Sequence, residues 1–251
     1  MTHKWTYRYQ LKADRWVFVP TNEAKGVGAS IKRLVEGKWK VPEYYFHLRK
    51  GGHVAAVRSH SENTYFFRAD LDDFFGRVNR SRVTRCLKSW FPYMEARAMA
   101  SESVVKRPST EDFILPYGFV QSPILASLAL DMSKLGRFLG KLHRRSDVTV
   151  SVYVDDIIVS CNDEAQLFQI ADLLNQKADE SNFPLSLSKK EGPAPEITAF
   201  NIELSHGVMR ITEERLALLR AEYLSATSEH SKNGIYGYVE SVNIGQIENL
   251  V

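Results

Sequence analysis

Polar and apolar residues alternate most clearly in residues 148–160, VTVSVYVDDIIVS. Val148, Val150 and Val152 interleave with Thr149, Ser151 and Tyr153, and Ile157–Val159 return. A period of two followed by a polar pair predicts a hairpin with Asp155 and Asp156 at its turn. Residues 15–19 (RWVFV) predict a short strand ended by Pro20, and residues 64–69 (TYFFRA) a second strand running into Asp70. Residues 197–204 and 207–211 predict another hairpin turning near His206-Gly207. Helical spacing marks four segments: 79–100 with an interruption at Pro92, 123–143, 163–180 and 213–226. For 123–143, Ser122 is the expected N-cap and Pro123 the first helical residue. Hairpins interleaved with helices predict an α+β fold, an antiparallel sheet backed by helices.

Composition narrows the class. The chain has 251 residues, 44% of them hydrophobic, enough for a real core. No apolar run approaches the ~18 residues of a membrane span, and the start, MTHKWTYRYQ, lacks a signal-like apolar region. Two cysteines, Cys86 and Cys161, form no framework, and a cytoplasmic location is expected. The seven histidines show no HExxH spacing, which excludes the common zinc hydrolases. The net charge of +3 conceals a division. Residues 1–125 hold 21 basic and 12 acidic side chains (+9), and residues 126–251 hold 12 and 18 (−6). The basic half is a candidate surface for nucleic acid.

The chemistry-bearing residues are acidic. Asp155 and Asp156 lie between two β-branched runs, where paired like charges repel unless a cation relieves them; hard oxygen ligands suit Mg²⁺. A polar turn is the plainer reading. Asp70 ends an apolar strand and supplies a third carboxylate. Three carboxylates around two cations is the arrangement phosphoryl and nucleotidyl transfer use. Between them, LPYGFVQSP (Leu115–Pro123) forms a glycine-bearing loop entering a helix.

In order, D-x-x-x-F-F from Asp70, LPxGxxxSPxL from Leu115 and YxDD from Tyr153 resemble the palm of reverse transcriptases, in particular the bacterial retron and group II intron type. Arg15–Pro20 resembles the R-x-I-x-x-P fingers motif. Ile197–Asn201 resembles the V-T-G-x-x-N primer grip, and Ile235–Val239 the start of the thumb. The resemblance covers residues 12–251. Two positions depart from it: Tyr117 stands where the family has Gln, and Ala199 where it has Gly.

The resemblance implies a right-hand polymerase. Residues 1–63 would form the N-terminal part of the fingers, and 64–211 the palm, with a fingers segment inserted at about 78–114. Residues 212–251 would form a short helical thumb. Some 40 residues after Ile211 would leave no space for an RNase H, maturase or endonuclease domain. Asp70, Asp155 and Asp156, with the main-chain carbonyl of Leu71, would hold two Mg²⁺ ions, with Mn²⁺ as a substitute. Phe75 would stack under the sugar and exclude a 2′-hydroxyl. Lys12 and Arg15 would approach the triphosphate, Tyr117, Gln121 and Ser122 would line the nucleotide site, and Lys189 or Lys190 would neutralise pyrophosphate. Arg49, Lys50, Arg58 and Asn201 would contact nucleic acid. The expected partners are dNTPs, an RNA template (a dedicated non-coding RNA), the DNA product, and a partner protein or second copy; no membrane is expected. A retron or anti-phage defence role follows by analogy. Template-independent or protein-primed synthesis by the same site, and a catalytically silent RNA-binding scaffold, are the competing readings.

Overall fold

A computed structural model describes residues 4–12, 15–108 and 110–250. In chain order the elements are β1 (Trp5–Lys12), β2 (Arg15–Pro20), α1 (Asn22–Glu36), α2 (Gly52–Arg58), β3 (Tyr65–Asp70), α3 (Arg80–Leu87) and α4 (Tyr93–Ser103). Then follow β4 (Val105–Lys106), β5 (Phe113–Ile114), α5 (Ser122–Asp131), α6 (Lys134–His143), β6 (Val148–Tyr153), β7 (Asp156–Cys161) and α7 (Glu164–Glu180). The last are β8 (Glu191–Ala194), β9 (Glu196–Ala199), β10 (Ile202–Ser205), β11 (Val208–Ile211), α8 (Glu213–Ser225) and α9 (Glu229–Val242). Among the described residues no helix is long and apolar enough to cross a membrane.

The chain divides into two compact units. The first comprises Met1–Pro42, Leu71–Gly140 and Leu174–Leu185. Here β1 and β2 pair antiparallel, and Phe18 is buried with Val105 and Phe119, with Trp5 and Trp16 packed against them. Thr21 caps α1 by accepting from the Ala24 N–H at 3.1 Å, and Asn79 caps α3 through the Arg82 N–H at 2.9 Å. The expected single helix over 123–143 is two helices, broken at Met132-Ser133. Ser133 Oγ accepts from the Gly136 N–H at 3.0 Å and so starts α6, and Gly136 lies where a Cβ would meet the Leu130 carbonyl oxygen at 2.1 Å. Ser122 is not the N-cap: Gln121 holds that position without a side-chain bond, and Ser122 is the first residue of α5.

The second unit comprises Glu43–Asp70, Lys141–Leu173 and Ser186–Val251. Its main sheet has the strand order β6-β7-β3-β8 and is antiparallel throughout. Central β3 has a hydrogen-bonded neighbour on each edge, and its Phe66, Phe67, Ala69 and Asp70 are buried. The expected hairpin turning at His206-Gly207 is present as β10–β11, but its first arm is not one strand: residues 197–204 form β9 and β10, joined at Phe200-Asn201, both at positive φ, which gives a three-stranded sheet β11-β10-β9. Phe66, Ile158, Ile197, Leu204, Leu216 and Val239 belong to one buried cluster, which draws on both sheets and on α8 and α9.

Candidate active site

Strand register brings the acidic residues together. In the β3–β7 ladder Asp70 is paired directly with Asp156, and in the β6–β7 hairpin Asp156 is paired with Tyr153. That leaves Val154 and Asp155 as a two-residue turn. Val154 has φ +59°, a left-handed conformation that β-branched residues rarely adopt. Carboxylate oxygens of Asp70, Asp155 and Asp156 all lie within 4.8 Å of one another. Like charges placed directly across a sheet are destabilising, so this arrangement needs cations.

Two basic side chains supply them. Arg68, two residues before Asp70 on β3, donates from Nε (3.1 Å) and Nη2 (2.7 Å) to Asp156 Oδ1, and from Nη1 to the Thr198 carbonyl at 2.8 Å. Lys189 Nζ bonds Asp70 Oδ2 at 2.8 Å, whereas Lys190 lies over the Phe67 ring. Of the two candidate lysines, Lys189 is thus the one beside the acidic triad. Arg68 carried no motif in the sequence; only the long-range pairing with Asp156 reveals it.

The electrostatics follow. Burial, with Asp70 and Asp156 alongside, pushes Asp155 up to about 6. Burial also raises Asp156, while Arg68 pulls it back. Beneath the hairpin, fully buried His60 bridges β6 and β7: Nδ1 lies 2.6 Å from Ser160 Oγ and Nε2 2.8 Å from Ser151 Oγ. Burial holds His60 down at about 3, a neutral imidazole at physiological pH.

Asn201 lines a cavity of about 770 Å³ in the same unit, together with His53, Tyr153, Phe200, Arg215 and Tyr238. Arg58 instead donates to the Ser241 carbonyl, and Arg49 lies over Phe46 and donates to the Glu43 carbonyl. Lys50 is exposed. In the first unit, Phe75 meets the Tyr117 ring edge-on at 4.7 Å, and Arg15 lies over the same ring at 5.2 Å. Gly118, at φ +98°, lies against the Phe18 backbone; a Cβ there would be 2.3 Å from the Phe18 carbonyl oxygen. Gln121 and Ser122 are both buried, and their side-chain polar atoms have no hydrogen-bond partner among the described residues. Lys12 is exposed on β1. Leu71 is buried and forms an isolated bridge with Leu185.

The sequence matches the family described as reverse transcriptase (RNA-dependent DNA polymerase) over residues 12–199. The chain belongs to the reverse transcriptase family. Among curated proteins it is 26% identical to the retron Mx65 reverse transcriptase of Myxococcus xanthus, over 94% of this chain and 60% of that protein. It is 22% identical to the retron Ec73 reverse transcriptase of Escherichia coli, over 96% of this chain and 83% of that one. The chain therefore spans less than two thirds of the Mx65 enzyme's length. Among solved structures, telomerase from Candida albicans in complex with a fragment of telomeric RNA matches with a TM-score of 0.55 at 11% identity. That match covers 90% of this chain and 45% of that one. A foamy viral protease-reverse transcriptase with RNA/DNA hybrid matches with a TM-score of 0.52 at 17% identity, over 92% and 27%. These likenesses bear out the α+β fingers-and-palm fold of a bacterial, retron-like reverse transcriptase.

Proposed function

We propose that this protein is an RNA-directed DNA polymerase that adds deoxynucleotides to a primer 3′-hydroxyl. The observation that carries the reading is the register of β3, β6 and β7, which converges three carboxylates that are only partly neutralised. The donor set fits divalent cations: all oxygen, anionic and close together. Two bound Mg²⁺ ions would supply activation of the attacking 3′-oxygen and charge neutralisation at the α-phosphate and the leaving pyrophosphate. The protein's share is positioning and electrostatics. Asp70, Asp155 and Asp156 would hold the cations, with the main-chain carbonyl of Leu71 as the further ligand that the family motif implies. Arg68 fixes the Asp156 carboxylate, and Lys189 is the group to neutralise or protonate pyrophosphate.

The remaining roles are proposals from the family motifs. Phe75 is the gate against a 2′-hydroxyl; Lys12 and Arg15 bind the triphosphate; Tyr117, Gln121 and Ser122 line the nucleotide site. The unsatisfied amide of Gln121 and hydroxyl of Ser122 support a polar ligand there. Asn201 contacts the primer, and Arg49, Lys50 and Arg58 contact the nucleic-acid backbone. Residues 1–63 with about 78–114 serve as fingers, the rest of 64–211 as palm and 212–251 as thumb. By analogy with the two retron relatives, the proposed template is a dedicated, structured non-coding RNA, the proposed location cytoplasmic and the proposed role that of a retron or defence system.

The test is dNTP incorporation by the purified protein with Mg²⁺, with and without its co-purifying RNA, beside Asp155→Ala and Asp156→Ala controls. Incorporation that survives both substitutions refutes the site. Incorporation without RNA favours template-independent synthesis, product attached to protein favours protein priming, and RNA binding without incorporation favours the scaffold.

A further inference from the structure

β6 is an edge strand, and the outward N–H groups of Val152 and of Val154, in the turn just beyond it, need acceptors. The segment beside it provides the first in the ordinary way: the Val152 N–H donates to the Tyr44 carbonyl at 2.7 Å, and Tyr45 forms a parallel bridge with Val152. The chain then leaves the edge in a 3₁₀ turn at Phe46–Leu48. A side chain takes over the second acceptor role. His47 Nδ1 accepts the Val154 N–H at 2.9 Å. The same imidazole hydrogen-bonds the Val152 backbone and meets the Tyr153 ring edge-on at 5.9 Å. The N–H that Nδ1 accepts thus belongs to the residue with the left-handed backbone. Positive φ is confined to the first turn residue, the position where a two-residue hairpin favours glycine.

We propose that His47 is the positioning residue of the aspartate turn: its Nδ1 replaces a strand carbonyl, holds Val154 in the left-handed conformation, and so aims Asp155 and Asp156 at one point. The functional half of this inference rests on the metal-site reading above; the structural half does not. The Val154 N–H pointing at Nδ1 makes that the unprotonated nitrogen, and burial, which holds the ring down at about 4, keeps the imidazole neutral at neutral pH.

The test uses the full chain in three substitutions. His47→Phe keeps a ring and removes the acceptor. His47→Asn loses ring volume but restores an oxygen at the Nδ1 position. Val154→Gly removes the conformational demand, since glycine takes positive φ freely. Exchange of the Val154 amide, followed by NMR in the metal-free protein, should accelerate about tenfold in His47→Phe and return toward wild type in His47→Asn. Mn²⁺ affinity, read from free Mn²⁺ by electron paramagnetic resonance, should fall severalfold in His47→Phe. That fall should shrink in a Val154→Gly background. A role in packing alone predicts the reverse order, with Phe tolerated and Asn not. Either that reversal or an unprotected Val154 amide in the wild type overturns the proposal. So does Mn²⁺ binding that Asp155→Ala abolishes and His47→Phe leaves unchanged. If His47→Phe does not fold, the His47→Asn and Val154→Gly arms decide. A wild type that binds no Mn²⁺ refutes the metal reading and the functional half, while amide exchange still decides the structural half.

Discussion

Asp155→Asn should make the metal-free protein more stable while removing a carboxylate from the proposed metal site. Burial and two neighbouring carboxylates push Asp155 up to about 6 from an ordinary 3.8. Keeping it ionised at pH 7.5 therefore costs the metal-free fold about 3 kcal/mol. The sign follows from proton counting. Between pH 3.8 and about 6 the folded state holds a proton on Asp155 that the unfolded chain has released, so this contribution to stability falls as pH rises and is lost above about 6. Asparagine has nearly the same shape and no charge, so it escapes the cost. At about 2–4 °C per kcal/mol for a chain of this size, the variant should melt roughly 6–12 °C above wild type at pH 7.5 without metal, and near wild type at pH 4. The raw wild-type profile would hide this. His60 and His47, held down at about 3 and about 4 by burial, contribute stability above pH 6.5 that is lost as pH falls. Their trend runs opposite to that of Asp155. The difference between wild type and variant cancels it, which makes paired melting curves across pH the appropriate assay. Saturating Mg²⁺ should then raise the melting temperature of wild type and leave that of the variant unchanged. A variant no more stable than wild type at pH 7.5 without metal refutes the electrostatic argument.

Phe75→Ala should raise ribonucleotide incorporation relative to deoxynucleotide. The ring is only 7% exposed, so the substitution should also cost about 3 kcal/mol, and the incorporation ratio is measured below the variant's melting temperature. An unchanged ratio removes Phe75 as the gate. Gly118→Ala should destabilise the protein by about 2 kcal/mol or more. Its φ of +98° and the Phe18 carbonyl leave no space for a methyl group; a denaturation midpoint equal to wild type would contradict this.

The parts of the fold legible in the sequence are those set by local pattern. β3 follows from its aromatic run and the β6–β7 hairpin from alternation around a polar pair, although the turn is Val154-Asp155, and Asp156, expected at the turn, opens β7 opposite Asp70. The triad follows from Asp70 ending its strand. Other features depend on distant partners. The apolar stripe of 123–143 continues across Met132-Ser133, so periodicity could not reveal a break made by one hydroxyl and one close backbone approach. Residues 197–204 read as one strand because Phe200 does not advertise positive φ as Asn201 does. α1 was obscured by Gly26 and Gly28, yet Gly28 packs closely against a distant residue: a Cβ there would lie 2.2 Å from Gln121 Oε1 and displace that side chain. Arg68 and His47 were invisible because the groups they hold lie 88 and 107 residues further along the chain.

The two cations at the triad differ in how firmly they are held, and that difference has a consequence. Three ionised carboxylates against Arg68 and Lys189 leave one net negative charge. An incoming divalent cation must therefore compete with one of them. Arg68 is anchored by three hydrogen bonds, two to Asp156 and one to the Thr198 carbonyl, which accepts without adding charge. Lys189 makes one contact to the triad, on Asp70, and its side chain is 43% exposed. Lys189 is thus the cation that yields. Lys189→Met should tighten Mn²⁺ binding in the absence of nucleotide, by up to about fivefold given its exposure, and should slow turnover once pyrophosphate must be neutralised. Arg68→Met should do the opposite to Mn²⁺ affinity, because it releases the Asp156 carboxylate from the position that register gives it. Titration of both variants with Mn²⁺ separates the two roles. Weaker binding in Lys189→Met would show that Lys189 organises Asp70 instead of competing for it.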